Sequence, residues 1–155
     1  MSSKKTLILM RHAQPVSDAA VSDFYIPLAK EGITAQKKLC QKLEQKGFFP
    51  KEVLASPFRR TRDTGDIIAQ HFNLKCQVFE ALGDPFNEEL LRDWIENAES
   101  DTFALVGHGP SLTDLANQYL GEDIFNHILP KSSAVIIGFE KSIANGLGKL
   151  IEVFK

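Results

Sequence analysis

The sequence is sparing in the residues that mark specialised classes of protein. Its 155 residues include two cysteines, Cys40 and Cys76, at a spacing that suits neither a metal site nor a redox pair, so both are expected to be reduced thiols. Long apolar runs are missing too. Behind the basic segment Met1-Ser2-Ser3-Lys4-Lys5, the run Leu7-Ile8-Leu9-Met10 is interrupted by Arg11 and His12. That is shorter than the roughly 7–15 residues of a secretory core and far below a membrane span. A soluble, cytoplasmic chain is expected. Nor is there an excess of one charge: 18 Lys+Arg against 20 Asp+Glu give a formal net charge of -2. Such a balance leaves no overall field for nucleic acid or an anionic membrane, and any anionic partner must be caught by a local cluster. Hydrophobic residues at 43% and charged residues at 25% are globular values. They exclude a disordered tail, a collagen-like repeat and a coiled-coil rod. The length fits one domain covering residues 1–155.

What is present is an alternation of short apolar runs and amphipathic stretches. Thr6–Met10 has the continuous apolarity of a strand covered on both faces. A polar stretch, Ala13 to Lys30, follows with no period. From Thr34 the pattern is helical: Ala35, Leu39 and Leu43 recur every four residues and Gly47 suits the stop, with Lys37, Lys38, Lys42 and Lys46 as the solvated face. Val53–Ala55 is a second strand. Beyond Ser56-Pro57 a helix is predicted from about Thr61 to Phe72, burying Ile67 and Ile68, with His71 beside that face as a structural residue. Residues 75–79 form a short third strand. Glu88–Ala98 is amphipathic, with Leu90, Leu91, Trp94, Ile95 and Ala98 on one side. Phe103–Val106 is another buried strand. Gly107–Pro110 make a loop, and Ser111 is the expected N-cap of a helix through Leu120. Ala134–Phe139 and Leu150–Phe154 read as closing strands, with a turn signal at Asn145-Gly146. The predicted fold is α/β: a three-layer sandwich with a mostly parallel central sheet flanked by helices.

Ligands of such sheets bind at the loops beyond the carboxyl ends of the strands. Three of these loops carry chemistry: Arg11-His12-Ala13-Gln14, Ser56-Pro57 with Arg59-Arg60-Thr61-Arg62, and Gly107-His108-Gly109-Pro110. Each has a plain structural reading, as a strand end, a solvated helix start and a tight turn. Their recurrence at the same kind of position favours one shared rim instead. Guanidinium groups hold phosphate oxygens bidentately, and backbone N–H groups at Gly109 and the next helix start add dipoles. A histidine attacks phosphorus as free imidazole or donates to a phosphate oxygen as imidazolium. Arginines at a helix start oppose the macrodipole and call for a compensating anion. His12, His71, His108 and His127 show no metal-ligand spacing, so a site without metal or cofactor is expected. His127 has no catalytic neighbour and receives no role.

Leu7 to Ala13, Leu-Ile-Leu-Met-Arg-His-Ala, resembles the Arg-His-Gly signature of the histidine phosphatase superfamily, the phosphoglycerate mutase-like fold. Ser56 to Thr64 is similar to that family's S-P-[LF]-x-R-A-x-Q-T segment, Leu105-Val106-Gly107-His108 to its second-histidine motif, and Leu28 to Gly32 to its L-T-x-x-G. The ordered set covers nearly the whole chain, and the short length points to the SixA-like phosphohistidine phosphatases. The resemblance implies that His12 is the transiently phosphorylated nucleophile. It implies that Arg11, Arg60 and His108 surround the phosphoryl group, with Gln14 and Gly109 as further substrate contacts. Arg59 and Arg62 are left for solvent or an acidic partner surface.

The sequence also departs from the family pattern. Ala13 replaces a glycine, Thr61 and Asp63 replace Ala and Gln, and Ile26 stands where SixA-like sequences often carry an arginine. No clear counterpart of the mutases' glutamate is present. Glu80, Asp84 and Glu88 lie in the right stretch, with Asp84 the candidate general acid. A phosphoramidate P–N bond needs such an acid less than an ester does. The expected activity is metal-independent hydrolysis through a phosphohistidine enzyme, on a phosphorylated protein or a small phosphorylated substrate. The alternatives are a phosphatase for small phosphomonoesters, a non-catalytic phosphate-binding module, and a nucleic-acid binder using Arg59–Arg62.

Overall fold

The computed structural model describes residues 4–17 and 20–155. The start of the basic N-terminal segment, residues 1–3, and residues 18–19 of the polar stretch lie outside it. Six strands make one sheet: β1 (Lys5–Arg11), β2 (Glu52–Ala55), β3 (Cys76–Val78), β4 (Thr102–Gly107), β5 (Ala134–Phe139) and β6 (Lys149–Phe154). Their order across the sheet is β3-β2-β4-β1-β5-β6. The first four are mutually parallel, whereas β5 runs antiparallel to β1 and to β6.

Four helices cover the two faces: α1 (Lys30–Gln45), α2 (Arg59–His71), α3 (Glu88–Asn97) and α4 (Gly109–Leu120). Leu7 and Leu9 of β1, with Leu54 and Leu105, pack on Leu91 and Ile95 of α3 and Leu112 and Leu115 of α4. Ile8 and Met10, with Val53 and Val106, pack on Leu39 and Leu43 of α1 and Ile68 of α2. Alternate residues of β1 thus enter opposite cores. Both faces are dry, which is why its apolar run shows no alternation. The three-layer α/β sandwich is as expected, with a sheet more mixed than its parallel half suggests.

Several boundaries differ from the sequence reading. α1 begins at Lys30, not Thr34, because Gly32 is no breaker here. It sits where a Cβ would overlap the Gln14 carbonyl oxygen, so the helix start presses directly on the loop after β1. α2 begins at Arg59, which brings Arg59 and Arg60 into its first turn. The N-cap of α4 is His108 rather than Ser111, with Pro110 in the first turn, a position where its missing N–H costs nothing. On α3 the buried stripe is Leu91 and Ile95, with Trp94 and Ala98 packed partly buried beside it, while Leu90 is 53% exposed. His71 Nε2 lies 2.7 Å from Glu44 Oε1, tying α2 to α1 from the surface. Asn145-Gly146 do form a turn, with Leu147 N–H donating to Ala144 O at 3.2 Å, within the longer connection between the antiparallel β5 and β6. Gly146 N–H also donates to Gln118 O at 3.0 Å, docking that connection on the end of α4. Among the described residues, no helix is long and apolar enough to cross a membrane.

Candidate active site

The site gathers at the carboxyl ends of β1, β2 and β4, neighbours in the sheet. His12 N–H donates to Gly107 O at 3.1 Å, so the nucleophile candidate continues the β1–β4 ladder. The residue is 5% exposed. His12 Nδ1 lies 2.8 Å from Ala13 O. A carbonyl only accepts, so Nδ1 carries the proton and Nε2 keeps its lone pair. Burial, opposed by that hydrogen bond and reinforced by Arg60, His108 and Arg11, pushes His12 down to about 4. At neutral pH the imidazole is uncharged, the form that can attack phosphorus.

His108 faces it, with ring centroids 5.7 Å apart and edge-on. The Ser56 hydroxyl, fully buried, holds His108 Nε2 at 2.9 Å. Burial and then Arg60 push this imidazole down to about 4 as well, although Asp23 and Asp84 act the other way. A phosphoryl dianion between the two rings would add to the effect of those carboxylates and favour a protonated His108.

Arg11 Nη1 donates to Leu129 O at 2.8 Å, while its Nε is buried without a partner. Its pKa is lowered by burial and then by the second guanidinium, that of Arg60. Room for the first depends on Gly109, because a Cβ there would lie 2.9 Å from Arg11 Nε and overlap Ile128. Arg60 stacks on Phe58, 4.9 Å from the ring centroid. It donates to Asp23 through Nη1 (3.0 Å to the carbonyl, 3.1 Å to Oδ1) and Nη2 (3.4 Å to Oδ2). The compensating anions that the helix start calls for are therefore in part internal. Arg60 has Asp23, Arg59 has Asp63 at 3.4 Å, and Arg62 Nε donates to Pro57 O at 2.9 Å.

Buried hydroxyls fix the loops. Thr64 Oγ1 accepts from Ala13 N–H at 3.0 Å and donates to Arg60 O at 2.7 Å, joining the His12 loop to α2. Thr61 Oγ1 donates to Ser56 O at 2.8 Å. Asp63 Oδ2 accepts from Leu28 N–H at 3.3 Å.

The structure thus brings Arg11, His12, Arg60 and His108 together. Gln14 is half-buried, and its amide donates to Pro15 O at 3.1 Å. Among the acids, Glu88 is engaged by Tyr119 (2.7 Å) and Arg92 (3.1 Å). Glu80 is not in the wall of the His108 cleft, whereas Asp84 is. His127 is exposed. Sequence reasoning missed Asp23 as the partner of Arg60 and Ser56 as the partner of His108. Ser56 stood inside the quoted motif; Asp23 lay in a stretch without periodicity and gave no signal. Among the described residues, no three of His, Cys, Asp and Glu are grouped to hold a metal ion.

A fold and a double-histidine, double-arginine rim of this kind define a class. Residues 7–85 match the family model of the histidine phosphatase superfamily (branch 1), and the chain belongs to that superfamily. It is 31% identical over 114 residues to an uncharacterized protein of Picosynechococcus sp., a match covering 71% of this chain and 69% of that one. Among solved structures it superposes on the protein histidine phosphatase SixA complexed with tungstate, with a TM-score of 0.83, 22% identity, and 97% and 96% of the two chains covered. A protein of Agrobacterium tumefaciens assigned as the phosphohistidine phosphatase SixA gives 0.82 at 20% identity, covering 97% of each chain. A mycobacterial glucosyl-3-phosphoglycerate phosphatase gives 0.70 at 16%, covering 95% and 97%. At these identities the superpositions establish a shared fold.

Proposed function

We propose that the protein is a metal-independent phosphatase that works through a phosphohistidine intermediate on His12 and acts on protein phosphohistidine. The observation that carries this reading is the state of His12: buried, uncharged at neutral pH, with Nδ1 bonded to Ala13 O and Nε2 left as the nucleophile.

Arg11, Arg60 and His108 neutralise the charge spread over the phosphoryl oxygens during in-line attack. Gly109, at the positive end of α4, and Gln14 complete the substrate contacts, Gln14 by turning from Pro15 O. Water then attacks phosphorus, the Nε2–P bond breaks, and phosphate leaves. Asp23 must share Arg60 with the incoming phosphoryl, which keeps ground-state affinity low. A small phosphomonoester is the second reading, favoured by the likeness to the glucosyl-3-phosphoglycerate phosphatase. A pure binding module would need no buried neutral imidazole with a free Nε2.

Phosphate release from a phosphohistidine peptide and from p-nitrophenyl phosphate, in excess EDTA, tests the proposal. Wild type is expected to turn over in EDTA and His12→Ala to be inactive. Turnover that EDTA abolishes, or that His12→Ala retains, overturns it.

A further inference from the structure

In-line transfer to His12 sends the leaving group away from Nε2, and two of the groups that would surround the phosphoryl, His108 and Arg60, reach the surface. There the surface opens into a cleft of about 240 Å³ whose wall includes Asp23, Phe58, Arg60, Asp84, Phe86 and His108. His12 is not part of that wall. Beyond Arg60 and His108, which it shares with the phosphoryl site, the wall is unlike a phosphate pocket. Its one guanidinium, Arg60, is already faced by Asp23 and stacked on Phe58. Asp84 is exposed and has no ion pair among the described residues. Phe86 is half-buried, packed against the α3–α4 core. A free carboxylate beside an aromatic ring attracts a planar cation and disfavours a second anion.

We propose that this cleft is a leaving-group subsite selective for a protonated nitrogen heterocycle, with Asp84 accepting from the ring N–H and Phe86 lying against the ring. The inference rests on the phosphatase reading above and names the residues that would set its substrate class. The chemistry balances without a general acid. His12 Nε2 forms a bond to phosphorus, the P–N bond to the substrate ring breaks, and its electron pair stays on that ring nitrogen. The ring, protonated beforehand on its other nitrogen, leaves as neutral imidazole. Asp84 acts by favouring the protonated ring. An ester that leaves as an oxyanion gains nothing from it and meets a like charge.

The test compares kcat/KM for N-phosphoimidazole, p-nitrophenyl phosphate and phenyl phosphate in wild type, Asp84→Asn and Phe86→Leu. Asp84→Asn is expected to lose about tenfold more on phosphoimidazole than on either ester, and Phe86→Leu to shift the ratio in the same direction. Equal losses on all three substrates, or no loss, overturn the subsite while leaving the phosphatase reading intact. A larger loss on phenyl phosphate than on phosphoimidazole overturns it in favour of Asp84 as a general acid for esters. Wild type that releases phosphate from none of the three overturns both.

Discussion

At the scale of single residues, the site is a contest over Arg60. Its guanidinium is the donor a phosphoryl group needs, yet the carboxylate and backbone carbonyl of Asp23 hold it by its two terminal nitrogens. The Asp23 side chain is 71% exposed, so the pair carries the modest worth of a surface ion pair, up to about 1 kcal/mol. Asp23→Ala is accordingly expected to tighten inorganic phosphate as a competitive inhibitor by up to about fivefold. A weaker or unchanged inhibition constant would show that Asp23 does not compete with the phosphoryl group. Arg60→Ala removes a donor to the transition state and is expected to lower kcat/KM by about 10²–10³, read from steady-state kinetics.

At the scale of elements, positions that look like punctuation in the sequence turn out to seat the catalytic groups. Gly109 opens α4 and leaves the space that Arg11 fills. Gly109→Ala is expected to keep the fold, since Gly109 has no positive φ and the overlapped Ile128 side chain is exposed and can move, while displacing the guanidinium and cutting kcat/KM; unchanged kinetics would show that Arg11 needs no such room. Thr64 of α2 accepts from the Ala13 amide at 3.0 Å. Thr64→Val leaves that buried N–H unpaired, at about 1–3 kcal/mol, measurable as a fall in Tm.

The same positions explain what the sequence made legible. The strands were clear because Leu7–Met10 and Phe103–Val106 are buried on both faces. The candidate residues Arg11, His12, Arg60 and His108 were legible because they lie at or beyond strand ends. Helix starts at Lys30 and Arg59, and the cap at His108, were misplaced because tertiary contacts rather than capping side chains set them: none of these three helices has a side-chain N-cap bond. Asp23 was invisible because its role exists only once the 20–28 segment folds over α2.

At the scale of the molecule, two imidazoles buried in uncharged form shape the pH response. Both sit near 4 in the folded protein against an ordinary value of 6.5. Between those values the unfolded chain binds protons that the folded one does not, so stability falls as pH drops through that window and levels off below it. His108→Asn is expected to flatten Tm against pH between 6.5 and 4. An unchanged slope would mean that His108 does not contribute. For the same reason, the acid limb of kcat/KM belongs near pH 4 rather than 6.5.

The most direct test of the central claim is to trap the covalent enzyme. The protein is mixed with a phosphohistidine peptide, quenched in alkali during turnover, and its peptides are read by mass spectrometry. A phosphoryl group on His12, absent in His12→Ala, is the predicted result. Turnover with His12 unmodified, or phosphate carried on another residue, would contradict the account.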